Sequence, residues 1–349
     1  MAGMLFGFPF NEELFAYRCG IEPDPINEAI IQSGVMQENA DIEKMIEGGS
    51  DRYTIPFYNT LAGEPQNYDG GTDLVPVETS GAYQSGIVFG RMQGWTARDF
   101  TKDFNRLDPM GSIVAQVSHF WAKYWQRMLI GIASGLFDVK APSGDEDKNG
   151  YYAAWQKHTM DVTSASTTVA EGNKMGEATY ADATTFACGD NAADAFKLAF
   201  MHSTVANNLA KKDLLEYRKY SDPLGLQRQI RLADHNGMTV VVSDICPHTE
   251  ATADSAATYK SYGFGLGAFQ SAFAPVEVPI EANREAKKNG GQDELIMRYR
   301  RTIHPNGWTY EKKDGDGGSP TNEMLFSPTR YKPVFDPKAI PMVCIVTNG

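Results

Sequence analysis

Of the residue pairs that could perform chemistry, His202 beside Ser203 is the first to weigh, since an imidazole next to a hydroxyl is the raw material of a nucleophile and its base. Adjacent side chains on an extended segment point to opposite faces and cannot share a proton. No GxSxG surrounds the serine, so a strand-end histidine and a helix-capping Ser203 describe the pair better. The glycines of GFGLGA (263–268) lack the GxGxxG spacing and no clear helix follows them, which points to close backbone packing rather than a nucleotide loop. Neither GxxxxGK[ST] nor HExxH occurs, and the six histidines are scattered. Cys19, Cys188, Cys246 and Cys344 lie far apart without a CxxC, so neither a zinc site nor a disulfide framework is predicted and a reducing compartment fits. No catalytic residue, cofactor or metal site is expected.

Arg298, Arg300 and Arg301, with Arg284, Lys287 and Lys288 across a predicted turn, form the densest basic cluster. Glu277, Glu281, Glu285, Asp293 and Glu294 cancel much of it. Intersubunit or cross-strand ion pairing is expected there, in preference to DNA recognition. The formal charge of −12 over 349 residues also argues against general affinity for nucleic acid. At roughly 150 residues per domain, the length suggests two or three units.

The elements that would position these residues centre on Asp108 to Phe137. Apolar residues at Ile113, Val117, Phe120, Trp121, Tyr124, Trp125, Met128, Leu129, Ile132 and Leu136 recur at three- and four-residue steps and predict one amphipathic helix on the order of 40 Å long. Asp108 is placed to cap it and Pro109 to open it. Gln116, His119, Lys123, Gln126 and Arg127 interrupt the apolar run, which excludes a bilayer span. Trp121 and Trp125 are expected in the core.

Residues 1–50 read as an arm with one short helix, Asp24 to Gln32. From Asp51 to Trp95 the chain turns extended: Tyr53, Ile55 and Phe57 alternate with polar residues, and the strand pattern resumes at Leu74 to Val77 and Ile87 to Phe89. Pro56, Pro65 and Pro76 suit an edge or a protruding ribbon, with an ordinary surface hairpin as the alternative. Residues 138–185 show no sustained period and read as a long connection. Beyond them, FKLAFM (196–201), the helical run TVANNLAKKDLL, TVVVS (239–243) and YKSYGFGLGAF suggest a small α/β unit. Val276 to Arg284 and Glu294 to His304 form a predicted hairpin around Asn289-Gly290-Gly291. GWTYEKKDGDGGSPTN reads as a loop, and MVCIV (342–346) as a terminal strand.

The ordered landmarks SDRYTIPFYNTLAGEPQNYDGG, Trp95-x-x-x-Asp99-Phe100, DPM opening a Trp-rich helix, MHS before a short helix, and GGQDELIMRYRRTIHPNGW resemble the major capsid protein of tailed bacteriophages, the Hong Kong 97-type shell fold shared with encapsulins. The resemblance covers roughly residues 50–310 and implies an α+β chain with four parts. These are an N-terminal arm (1–50), an extension-loop β-hairpin with its following strand (51–95), a peripheral domain (96–185 and 275–312) containing the spine helix 108–137, and an axial domain (186–274 and 313–349). It further implies a non-enzymatic virion protein, self-assembling as pentamers and hexamers into an icosahedral shell around double-stranded DNA in the host bacterial cytoplasm, without specific DNA binding or membrane. A separate scaffolding protein is expected, because the chain begins close to the arm. Tyr53, Ile55, Phe57, Tyr58, Arg284, Arg298 and Arg300 are the subunit-interface candidates. An encapsulin-like compartment is the alternative container, and an α/β enzyme using His202 the alternative chemistry.

Overall fold

The computed structural model describes residues 4–5, 8–9, 25–58, 63–68, 71, 73–79, 81–100, 109–141, 147, 150–191, 196–221, 227–235, 237–313 and 316–349. The helix Pro109–Phe137 runs for 29 residues and organises everything around it. The expected caps at Asp24 and Asp108 lie outside the described residues, as do Cys19 and most of the first half of the arm. Val117, Trp121, Trp125, Met128, Leu129, Ile132 and Leu136 are buried along one stripe. Trp121 stacks on Trp125, with ring centroids 5.6 Å apart, and both present edges to Tyr299. Near the helix C-terminus the burial extends around the cylinder, taking in Ile130 and Ala133, and the short helix Asn322–Phe326 packs on the side that carries Gly131 and Gly135.

The stripe packs on a five-stranded sheet built about one long strand, Gln292–Pro305. Ile280–Glu285 flanks its first half and Phe269–Ala274 its end, Phe89–Arg98 pairs with it from Gln292 to Arg301, and Met36–Glu38 pairs in parallel with Phe269–Ala274. Leu295, Met297 and Ile303 share the core of the spine helix, whereas Thr302 and His304, one position out of phase, lie on the opposite face. That second face has its own small cluster of Ile42, Ile46, Tyr53, Val88, Ala272 and Ala274. The predicted hairpin is present, and its turn uses positive φ at Asn289, Gly290 and Gly291 (55°, 77° and 113°). Its first strand starts at Ile280, four residues later than expected, because Pro279 offers no backbone donor.

A larger sheet of eight strands runs in the order Thr159–Asp161, Met342–Thr347, Thr258–Gly265, Phe196–Met201, Met238–Val242, Gln227–His235, Glu216–Ser221, with His248–Thr249 pairing to Thr258–Gly265. Met238–Val242 runs parallel to Phe196–Met201 and Met342–Thr347 parallel to Thr159–Asp161. Both faces are covered, and successive residues alternate between two cores. Leu198, Phe200, Met342 and Cys344 join the spine helix's core, while Ala199, Met201, Val343 and Ile345 join a second one beneath the helices Thr179–Cys188 and Ser203–Lys211. At the junction Trp155 stacks on Phe137 and on His158, stands edge-on to Trp308, and donates to the Leu136 carbonyl at 2.9 Å.

Three expectations change. Residues 138–185 contain the helix Tyr151–Gln156, the strand Thr159–Asp161 and the helix Thr179–Cys188. Each short helix is anchored by one large buried side chain, Trp155 or Tyr180, which leaves no period to detect. The ribbon's return strand is Gly81–Ile87, not Leu74 to Val77. The predicted loop after Gly307 opens with a strand, Trp308–Tyr310, paired to Tyr331–Pro333.

Candidate assembly surface

The groups that could have done chemistry are engaged structurally. The Nδ1 of His202 accepts from the backbone N–H of Thr204 at 3.2 Å, so His202, rather than the expected Ser203, caps the helix Ser203–Lys211. Its ring sits between His248 and Tyr259, at 4.7 and 4.9 Å, and burial holds its pKa below the ordinary histidine value, with the Asp244 carboxylate opposing. Burial pushes the Cys188 thiol up to about 11 and the Cys246 and Cys344 thiols to about 12, far from the thiolate that nucleophilic chemistry needs. Gly263 lies where a Cβ would come within 2.8 Å of Val343, so it serves close packing, while Gly267 takes a positive φ of 67° in the turn between two strands. Among the described residues no group of His, Cys, Asp and Glu is arranged to hold a metal, and no helix is long and apolar enough to cross a membrane.

Surface built for contact lies instead on the ribbon. Arg52–Tyr58 and Gly81–Ile87 pair antiparallel from Arg52↔Ile87 to Tyr58↔Gly81. The predicted alternation holds, and its apolar face turns onto the protein's own body. Tyr53 is 4% exposed. Its ring crosses the partner strand over Gly86, where a Cβ would lie 2.8 Å from Cε1. Its hydroxyl hydrogen-bonds Thr302 Oγ1 at 3.0 Å, and its ring stands edge-on to His304. Ile55 packs against the same cluster, and Phe57 meets Phe335 edge-to-face at 4.6 Å. On the return strand the Gln84 Oε1 accepts from the N–H of Gly307. Substituting Tyr53→Phe removes one buried hydrogen bond and strands the Thr302 hydroxyl, so a loss of about 1 to 2 kcal/mol in urea unfolding is expected; an unchanged midpoint would contradict this account of the ribbon base.

From Tyr58 onward the described apolar residues of the ribbon are bare among the described residues. Tyr58 is 83% exposed, Tyr68 98%, Leu74 76% and Val75 67%, with Val77 and Tyr83 also exposed. The tip is nonetheless held together: the Gln66 side-chain amide donates to the Val75 carbonyl at 2.6 Å and its Oε1 accepts from the Val75 N–H at 3.0 Å, a side-chain substitute for one rung of a ladder. Large apolar side chains exposed in this number are what a contact with another molecule would cover. In sequence its mark was Leu74-Val75-Pro76-Val77, which read as a strand.

The arginine candidates lie on the smaller sheet and find partners within the chain. Arg284 bridges Asp99 at 2.6 Å and Asp293 at 2.8 Å, its directly opposite strand neighbour. Arg298 pairs with Glu281 at 2.8 Å, and Arg300 donates to the Ser50 carbonyl at 3.3 Å. The cross-strand half of the predicted ion pairing is thus present.

No family model matches the chain. Over 317 residues it is 29% identical to the major capsid protein of Bacillus phage SPP1, covering 90% of this chain and 89% of that protein. Among solved structures, the capsid of Ralstonia phage GP4 superposes with a TM-score of 0.52 at 11% identity, covering 90% of this chain and 87% of that one. The capsid of cyanophage Pam1 does so with a TM-score of 0.52 at 14% identity, covering 89% and 88%. The chain therefore carries the phage capsid fold and is a homologue of a phage major capsid protein.

Proposed function

We propose that this protein is the major subunit of a phage head. Copies assemble as pentamers and hexamers into an icosahedral shell that encloses double-stranded DNA, with a separate scaffolding protein, in the bacterial host's cytoplasm. The role is architectural and no catalysis is involved. The observation that carries the reading is the ribbon, whose apolar tip residues are left bare by their own chain. A neighbouring copy supplies the missing cover, as lattice contacts do. A net charge of −12 suits a container that must not grip its densely packed contents. Following the two sheets, the peripheral unit comprises the spine helix and the smaller sheet. The axial unit comprises the larger sheet with Met342–Thr347, and also Thr159–Asp161 and Thr179–Cys188, which the expected boundary at 185 had put in the peripheral domain but which pair with or pack on that sheet.

Sedimentation and negative-stain electron microscopy of the protein, expressed alone and with a scaffolding partner, test this directly. Megadalton shells or pentamer and hexamer rings are expected, with nuclease-protected DNA inside shells from infected cells. A compact monomer under all conditions would overturn the reading.

A further inference from the structure

Beside the larger sheet two imidazoles and a phenol ring meet, and the shell reading gives them no task. His202 immediately precedes the helix Ser203–Lys211. His248 and Tyr259 lie opposite one another on a hairpin, in the rung next to Thr249↔Thr258. The His202 ring is 4.7 Å from that of His248 and 4.9 Å from that of Tyr259, and His248 stacks on Tyr259 at 6.0 Å. The His202 side chain is only 12% exposed, whereas His248 and Asp244 are open to solvent.

One protonation state fits this arrangement. The Nδ1 of His202 accepts from the Thr204 N–H, so it carries a lone pair and the ring proton sits on Nε2. That Nε2 faces the Asp244 Oδ1 at 3.7 Å, and the same oxygen accepts from the Ser203 N–H at 3.4 Å. A second proton would make Nδ1 a donor aimed at another donor. It would also set a positive charge at a helix N-terminus, where the peptide dipoles repel it. Burial opposes that charge most, the Asp244 carboxylate favours it, and His248 adds repulsion. The Gly349 backbone lies against Thr204 and Tyr259 and brings no side chain to the cluster. Glu250 and Asp254 are exposed on the hairpin loop.

We propose that His202 and His248 form a proton-operated joint between the helix Ser203–Lys211 and the hairpin that begins at His248. The joint stands apart from the shell reading. With neutral imidazoles the rings pack together, the first helical turn is capped and the hairpin is held against it. A proton on His202 releases the Thr204 N–H and turns the ring toward Asp244; a proton on His248 as well parts the two rings, and the hairpin is no longer tied to the helix. The movement is local, because Val205, Ala206 and Leu209 keep the helix packed in its own core. The closed arrangement binds the proton more weakly than an open one. It is therefore fully present above the ordinary histidine value of 6.5 and is given up as the pH falls below it.

Hydrogen exchange of the full-length protein, read by mass spectrometry and corrected for the intrinsic effect of pH, tests the joint. Between about pH 7.5 and about pH 5, residues 203–206 and 248–259 are expected to exchange about tenfold faster, the combined worth of a lost cap and an unfavourable helix-end charge. His202→Asn keeps a good cap that takes up no proton, so its corrected exchange should be the same at both pH values. Asp244→Asn removes the charge that favours the proton and should move the change to lower pH, whereas His248→Gln removes the repulsion and should move it to higher pH. These two exposed positions decide the question should His202→Asn fail to fold. Protection that stays constant in the parent, that falls equally in His202→Asn, or whose midpoint ignores both Asp244 and His248 would overturn the joint.

Discussion

Replacing Gly135 with alanine is expected to destabilise the protein by about 2 to 3 kcal/mol, although alanine is the better helix former by about 1 kcal/mol. Gly135 sits inside the spine helix, facing the short helix Asn322–Phe326. A Cβ built there would collide with the carbonyl oxygen of Phe326 and lie 2.8 Å from its carbonyl carbon. The obstacle is backbone, so the short helix itself must move. Gly131, one turn earlier, meets only the ring of Phe326, which can rotate aside. Gly131→Ala should therefore cost less, about 1 kcal/mol. The consequence reaches the ribbon, because the segment after Phe326 turns into Tyr331–Pro333, beside Trp308–Tyr310, and leads to Phe335 under Phe57. The same segment is tied to the sheet by Arg91, which donates to Asn322 Oδ1 and the Pro320 carbonyl. Urea unfolding of both variants decides the matter, together with limited proteolysis of residues 316–335. A neutral or stabilising Gly135→Ala would show that the two helices are not in fixed contact.

The spine helix was readable because its stripe, from Ile113 to Leu136, repeats over more than six turns on one face. The ribbon's first strand was equally readable, since Tyr53, Ile55 and Phe57 alternate. Its return strand was not, for a physical reason: Tyr53 fills the space over Gly86 from across the ladder, and the polar Gln84 takes a buried position by accepting from Gly307. The inward face of Gly81–Ile87 therefore carries little apolar signal of its own. Thr179–Cys188 escaped detection in a similar way, because its buried side is made of Ala183, Thr184, Ala187 and Cys188 around one tyrosine. Resemblance gave the fold and the shell role from ordered landmarks. The contact of Trp95 with Phe120 lay beyond any such reading, since the two belong to different elements and meet only when the sheet has closed on the helix. Of the residues nominated for subunit contact, Tyr53, Ile55 and Phe57 follow a pattern that exists because the strand packs on its own body, whereas Tyr58 is bare and Arg284, Arg298 and Arg300 lie on the smaller sheet. The bare residues, Tyr68 and Leu74 to Val77, follow no period.

Mild acid should loosen the protein first at the root of the ribbon. His304 is 2% exposed and packs against the edge of Tyr53. Burial pushes its pKa down to about 4 from an ordinary value of 6.5, with a hydrogen bond to the Trp308 backbone opposing the shift. The unfolded chain takes up the proton first, so stability from the neutral imidazole is fully present above about pH 6.5 and is lost as the pH falls towards 4. The loss amounts to about 3 kcal/mol across that window. His158, buried against Trp155 and hydrogen-bonded to the Met342 carbonyl, has its pKa lowered by the same cause and adds in the same direction. Carboxylates held down by partners, such as Asp316 beside Arg330, act below that range, which leaves the histidines separable. His304→Gln keeps a polar side chain that cannot be protonated there. Its stability should be nearly 3 kcal/mol less sensitive to pH between 7 and 4 than that of the parent, and the parent alone should become susceptible to protease within residues 51–87 near pH 4.5. Equal slopes for the two proteins would show that His304 already carries its proton, or finds water, in the folded state. If the slopes differ as expected, acid acts at Thr302 and His304, where Tyr53 anchors the ribbon, while the tip keeps its own tie between Gln66 and Val75.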